Sequence, residues 1–192
     1  DSPVGYYYLG RIEVEAKQFD RAILHFERAI SSNPTFEPAY TALASLYESQ
    51  QERAKAVTVY RKYLQVVNPS SKEIRQHLVR LYLHDKSYKE ALDELEKMLV
   101  ENPDDLDAQL RAGLIYGELK DYPNAIERLN KILVKRPNEL RIRDYLGLMY
   151  EEIKEYDKAV QAYETNLKIH PAYVDGHLHM GFLFYRLKRT AD

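Results

Sequence analysis

The chain has 192 residues, 45% of them apolar and 30% charged, with a formal net charge of −2, a balance that suits a globular core and gives no bulk field for holding nucleic acid or an anionic membrane surface. It contains no cysteine, which excludes disulfides, thiol nucleophiles and thiolate metal sites and leaves the redox compartment open. No apolar run reaches the roughly 18 residues of a membrane-spanning helix and no signal-peptide pattern is present, so a soluble chain without membrane insertion is expected, with cytoplasm and bacterial periplasm both open.

Ser2 and Pro3 offer a capping residue and a proline at a first helical position, so a helix is predicted to start at once. Thr35 and Pro38 open a second predicted helix pair, whose first member runs to about Gln50. Arg53 then stands where other stretches carry Phe19, Tyr88, Tyr122 or Tyr156, and a looser turn is expected there. Further on, Ser70 and Glu73 have capping-box spacing. Asp104 and Asp105 place negative charge at a helix start, where the dipole favours it, and Pro123 falls at the start of a later helix. The last predicted helix runs from about Val174 to Lys188 and carries Met180, Leu183, Phe184 and Leu187 on one face. Because that face is apolar, and because the chain opens on Asp1 rather than Met, a fragment of a longer protein with further repeats is expected.

One pattern ties these elements together. A marker residue in each first helix, usually small, recurs as Gly10, Ala44, Val79, Gly113, Gly147 and Gly181, at spacings of 34, 35, 34, 34 and 34 residues. Three residues later an aromatic follows in all units but the first, as Tyr47, Tyr82, Tyr116, Tyr150 and Phe184. Twelve after the marker come Ala22, Ala56, Ala91, Ala125 and Ala159; sixteen after it come Phe26, Tyr60, Leu95, Leu129 and Tyr163. Pro34, Pro69, Pro103, Pro137 and Pro171 close the units. A fixed period in this range predicts stacked units that bury one another's apolar faces. Small residues let two helices approach closely, aromatics fill the space around them, and proline ends the second helix.

This spacing and residue set resemble the tetratricopeptide repeat (TPR) family. The resemblance implies an all-α, right-handed α-solenoid (superhelix) of antiparallel helix pairs, forming one domain over residues 1–192. Repeats are expected at about 3–37, 37–71, 72–105, 106–139, 140–173 and, in part, 174–188. Departures are local: Tyr63, Met98, Ile132 and Asn166 stand where the family prefers a small residue, as Ala29 is, and one extra residue precedes Pro69.

In such a family the first helices line a concave surface, and helical spacing assigns inward positions to residues six, three and two before the marker and one and four after it. Tyr7, Tyr8, Arg11, Ala42, Ser45, Glu48, Glu73, Asp107, Asp144 and Glu151 fall there. Two groups stand out as a candidate peptide-binding site. Arg80, Arg111 and Arg141, with Gln76, His77 and Tyr145 alongside, offer guanidinium groups that can fork a carboxylate; the alternative is pairing with Glu73, Asp107 and Asp144 on the same surface. Leu110, Leu114, Leu148, Leu178 and Phe182 form an apolar set at inward positions, as a partner would need, unless close helix approach buries it.

Nearby family variants do not fit. The clamp that holds chaperone tails needs two asparagines at positions filled here by other residues, and the asparagine ladder of the O-linked sugar transferase solenoid would fall on Tyr8, Ala42, His77, Arg111, Tyr145 and His179. Glycine-rich phosphate loops, an HExxH helix and a cysteine nucleophile are all absent. His77 and His84 share a helical face without a third ligand for a metal. The expected function is therefore a non-catalytic scaffold, free of cofactor or metal, that binds a partner peptide with acidic and apolar residues. Self-association through the C-terminal end as a homo-oligomer, or service as the regulatory arm of a larger enzyme, are the alternatives.

Overall fold

The computed structural model describes residues 2–187, which form eleven α-helices. The first helices of the pairs are α1 (Pro3–Glu15), α3 (Glu37–Ser49), α5 (Lys72–His84), α7 (Leu106–Glu118), α9 (Leu140–Glu152) and α11 (Val174–Arg186), each of 13 residues. The second helices are α2 (Phe19–Ser32), α4 (Arg53–Val66), α6 (Tyr88–Glu101), α8 (Tyr122–Lys135) and α10 (Tyr156–Ile169), each of 14. The expected end of the last helix at Lys188 lies outside the described residues.

From α1 to α9, each first helix hands over to its second through three residues, and the middle one is left-handed: Lys17, Gln51, Lys86, Lys120 and Lys154 have φ between 56° and 63°. None is glycine. The N–H after each closes back to a carbonyl five residues earlier, from Gln18 to Glu13 at 2.8 Å, Glu52 to Tyr47 at 2.9 Å, Ser87 to Tyr82 at 2.8 Å, Asp121 to Tyr116 at 2.8 Å and Glu155 to Tyr150 at 2.9 Å. This is the Schellman closure, which satisfies carbonyls left open at a helix end. The turn before Arg53 is consequently no looser than the others, because backbone bonds and not the aromatic residue set its shape. Arg53 adds a contact of 3.1 Å between its Nη2 and His84 Nε2.

The junctions between pairs are equally regular. The extra residue before Pro69 is absorbed at Val67, which keeps helical angles (φ −100°, ψ −61°) at the end of α4. Asn33, Asn68 and Asn102 each accept from the N–H two residues on, at 3.0, 3.0 and 3.3 Å, the side-chain turn for which asparagine is suited. The cap of α5 is Ser71, accepting from Ile74 N–H at 3.4 Å, and not Ser70 as the capping-box spacing suggests. Asp105 caps α7 through Ala108 N–H at 3.2 Å.

Each junction also carries a latch. A side chain four residues before the marker donates to the carbonyl of the closing proline, six residues upstream: Tyr40 to Pro34 at 2.9 Å, Arg75 to Pro69 at 2.6 Å, Gln109 to Pro103 at 2.9 Å, Arg143 to Pro137, and His177 to Pro171 at 2.8 Å. Tyrosine, arginine, glutamine and histidine share one property here, an N–H or O–H at the right reach. The proline that ends one pair is thereby tied to the helix that opens the next.

The chain divides into two compact units, one up to Glu94 and one from Leu95. In the first, the buried faces of α1 to α5 meet in a core holding Phe26, Tyr40, Leu43, Tyr60, Tyr63, Ile74 and Leu78. In the second, Leu129, Ile132, Ile142 and Leu146 form one cluster, and Ala159, Tyr163 and Leu183 another. The alanines twelve residues after the marker, Ala22, Ala56, Ala91, Ala125 and Ala159, are all fully buried. Tyr63, Met98, Ile132 and Asn166, which replace the small residue, are buried too, so the structure accommodates them in its packing.

Candidate interaction surface

In the first unit, α3, α4 and α5 bring four polar groups together. Tyr60, sixteen residues after its marker and 1% exposed, donates its phenol to Glu48 Oε1 at 2.8 Å. His77 stacks on the Tyr60 ring, with centroids 5.0 Å apart and planes 21° from parallel. Arg80 donates Nη2 to Glu48 Oε2 at 2.6 Å and to His77 Nδ1 at 2.9 Å. Burial, and then the Glu48 carboxylate, push the Tyr60 phenol far above its usual range.

The second unit repeats this arrangement with different parts. Tyr163 donates to Glu151 at 2.7 Å, and Arg186 of α11 also pairs with that carboxylate. His179 lies over Tyr163 at 5.4 Å, and its Nδ1 faces Asp144 Oδ1 at 3.8 Å. Burial and Glu151 raise the Tyr163 phenol. Asp144 itself is buried, contrary to its expected place on the open surface. It accepts from Asn166 Nδ2 at 2.8 Å and from the Tyr173 hydroxyl, while Asn166 Oδ1 accepts from Arg143 at 2.8 Å. Asn166, at a position where the family prefers a small residue, thus ties α9 to α10.

The expected site residues divide along these lines. Gln76, His77 and Arg80 share α5; Gln76 and Arg80 are exposed, and His77 is half-buried against Tyr60. Arg80 pairs with Glu48, not Glu73. On α7, Arg111 pairs with Asp107 at 2.8 Å, the expected alternative, with both side chains about half exposed (47% and 60%). Arg141 of α9 is exposed and makes no ion pair with a described residue. Leu110 and Tyr145 pack, half-buried, against the Leu129 and Leu146 cluster, whereas Leu114 is 36% and Leu148 partly exposed. Leu178 and Phe182 of α11 are 49% and 69% exposed and line a groove of about 420 Å³ with His177, Gly181 and Tyr185. The split follows packing: Leu110 and Tyr145 rest on the Leu129 and Leu146 cluster, and Leu114 and Leu148 are not among the residues packed against it.

Tetratricopeptide repeat profiles match residues 5–35, 41–106, 82–147 and 145–173. The chain belongs to the tetratricopeptide repeat family. It is 28% identical over 109 residues to anaphase-promoting complex subunit 3 of Schizosaccharomyces pombe, a match that takes in 56% of this chain and 16% of that protein. Among solved structures, a tetratricopeptide repeat protein from Parabacteroides merdae superposes with a TM-score of 0.68 at 19% identity, over 97% of this chain and 74% of that one. The MamA protein gives 0.66 at 22% identity, over 88% and 92%. YrrB, described as a TPR protein with an unusual peptide-binding site, gives 0.64 at 16% identity, over 96% and 91%. These likenesses establish the all-α solenoid fold of the family.

Sequence reasoning placed Glu48 and Glu151 on the inward list but missed the tyrosine to which each binds and the arginine at Arg186. The available signal was joint occurrence within one chain. Glutamate four after a marker, tyrosine sixteen after it and histidine two before the next occur together in units two and five, while Leu83 with Leu95, and Gly117 with Leu129, occupy the first two positions in units three and four. Among the described residues, no group of three or more His, Asp or Glu side chains is placed to hold a metal ion, and no helix is long and apolar enough to cross a membrane.

Proposed function

We propose that this tetratricopeptide repeat chain is a non-catalytic scaffold for protein–protein interaction, which holds a peptide segment of a partner against the first helices of its second unit. The observation that carries the reading is Arg141: exposed and without an ion-pair partner among the described residues, it shares a helical face with Tyr145 and Leu148. On α7, Arg111 stands beside Leu114 in the same manner, and its pairing with Asp107 is an exposed i,i+4 bridge worth about 0.3–0.5 kcal/mol. A partner carboxylate can take the place of Asp107 at little cost. Alternating acidic and apolar side chains suit such a face, with arginine supplying a bidentate fork and leucine an apolar seat. The exposed Leu178 and Phe182 extend the apolar part on α11.

A peptide library selected on the intact chain tests this. Enriched peptides should carry Asp or Glu next to Leu or Phe and should lose at least tenfold in affinity to the Arg111→Glu/Arg141→Glu double variant, with unchanged thermal melting. Equal binding to that variant would remove the arginines from the account. Self-association is the second reading, favoured by Phe182 and Tyr185 of α11 at 69% and 85% exposure. Sedimentation across a hundredfold range of concentration decides it: a constant monomer mass rejects assembly, and a rising mass that Phe182→Asp abolishes supports it.

A further inference from the structure

Two junctions of this chain place an imidazole on the aromatic ring sixteen residues after the marker: His77 on Tyr60 and His179 on Tyr163, at 5.0 and 5.4 Å. The first junction has the ring below but not the ring above. Phe26 is the buried aromatic there, and the residue at the histidine position is Ala42. Val14 stands where Glu48 and Glu151 stand, and Ser45 where Arg80 stands, so the carboxylate is missing as well. What results is a hollow of about 340 Å³ between α1 and α3, with Tyr7, Arg11, Val14, Phe26, Ala42 and Ser45 among its lining residues and the exposed Glu15 at its edge. Its volume exceeds the roughly 150 Å³ in which an apolar cavity takes up benzene.

We propose that this hollow is a binding pocket for an aromatic side chain that a partner segment presents next to a carboxylate. The chain indicates the ring itself, since the imidazole that covers the equivalent aromatic elsewhere is absent here, and Val14 leaves the inner end of the hollow without the glutamate found at that position in the other two. A cation comes from α1 instead of from the position of Arg80. Arg11 lines the hollow with its guanidinium 6.0 Å over the Tyr7 ring and makes no ion pair with a described residue. Tyr7 in turn packs on Phe26 at 6.1 Å and on Phe36 at 5.8 Å, which gives the pocket an aromatic wall. An entering ring meets apolar and aromatic surface, and its carboxylate meets arginine, with the ring contacts favoured in offset or edge geometry. The inference rests on the reading of the first helices as a partner-binding face, but the site lies in the first unit and is read out there.

The test is a two-dimensional amide NMR titration of the whole chain with N-acetylphenylalanine, and with N-acetylleucine and N-acetylphenylalaninamide as comparators. Saturable shifts are expected at Ala42 and Ser45, with a Kd on the order of 1–10 mM for so small a probe and at least threefold weaker binding of each comparator. Ala42→His should supply the missing ring from within and abolish those shifts. Where circular dichroism shows that variant unfolded, Ala42→Leu takes its place, and Arg11→Gln should reduce N-acetylphenylalanine to the affinity of its amide. No shift at Ala42, equal binding of either comparator, or undiminished binding to the filled variant overturns the proposal. Any of these results would leave the Arg111 and Arg141 reading standing, because those residues belong to the second unit.

Discussion

The clusters around Tyr60 and Tyr163 perform the same local task with different spacing. In both, a buried tyrosine donates to a glutamate that an arginine neutralises, and an imidazole covers the ring. The arginine comes one residue after its marker in Arg80 and five after it in Arg186. The markers differ as well: Ala44 in the first case, Gly147 in the second. A Cβ built on Gly147 would stand 2.4 Å from Tyr163 Cε1 and 2.7 Å from Cζ, whereas Ala44 carries its methyl group fully buried. The contact pattern is therefore set by charge and ring chemistry, and the distance between the helices is set separately at the marker.

The largest effect should follow from breaking that second term. Gly147→Ala forces a methyl group into a fully buried ring that is bonded at its hydroxyl, and overpacking of this kind costs about 1–3 kcal/mol; the upper half of that range is expected in a denaturant melt. The reverse change in the first cluster, Ala44→Gly, gives up one buried methyl group and adds backbone entropy to the unfolded chain, and should cost about 1–2 kcal/mol without straining the ring. Equal losses at the two sites would show that the helix approach is the same in both.

Next in size is the phenol. Tyr163→Phe leaves Glu151, whose side chain is 9% exposed, with Arg186 alone; Tyr60→Phe leaves Glu48, 16% exposed, with Arg80 and His77. A hydrogen bond to a charged group contributes about 1.5–3 kcal/mol, so losses toward the lower end are expected, with the larger at Tyr163. The pH dependence has a definite sign. Both phenols are raised in the folded chain, so the folded state holds its protons longer than the unfolded state, whose tyrosines titrate near pH ~10. Their contribution is complete below that pH and is lost as pH climbs through the folded values. Wild type should lose stability above pH ~10 faster than the double Phe variant; parallel curves would show that the phenols are not coupled to folding.

Much of the fold was legible because its marks repeat. Gly10, Gly147, the five alanines and the five prolines fix period, packing face and helix ends without reference to any partner. The proline latch escaped notice because its donor changes identity at each junction, from Tyr40 to Arg75 to Gln109, and a pattern of residue types does not register a shared N–H or O–H. Asp144 was misplaced for a related reason. Helical spacing puts it on the open face, but Asn166 and Tyr173 reach it from α10 and the loop before α11, and those partners are 22 and 29 residues away in sequence. Spacing gave the pairing of Arg111 with Asp107 four residues away, but not that of Arg80 with Glu48, whose 32-residue separation is closed only by the packing of α3 against α5.

The left-handed turns offer the smallest and most discriminating comparison. Gln51 and Lys154 have φ of 62° and 63°, and the closing bonds after them are both 2.9 Å, so the backbone term is the same in the two regions. A side chain in this conformation costs about 1–2 kcal/mol, which glycine relieves at an entropic cost of about 0.5–1 kcal/mol. Gln51→Gly should thus stabilise by about 0.5 kcal/mol. Lys154→Gly gives up something more, a positive charge at the carbonyl end of α9, where the helix dipole favours it by about 0.3–1 kcal/mol. Its net effect should fall close to zero at low salt and approach that of Gln51→Gly as salt screens the dipole. Lysine at four of the five left-handed positions, Lys17, Lys86, Lys120 and Lys154, fits the same argument, since charge offsets part of the strain that glycine would avoid. If both variants stabilise equally at every salt concentration, the lysines contribute nothing through charge, and the two turns differ in name only.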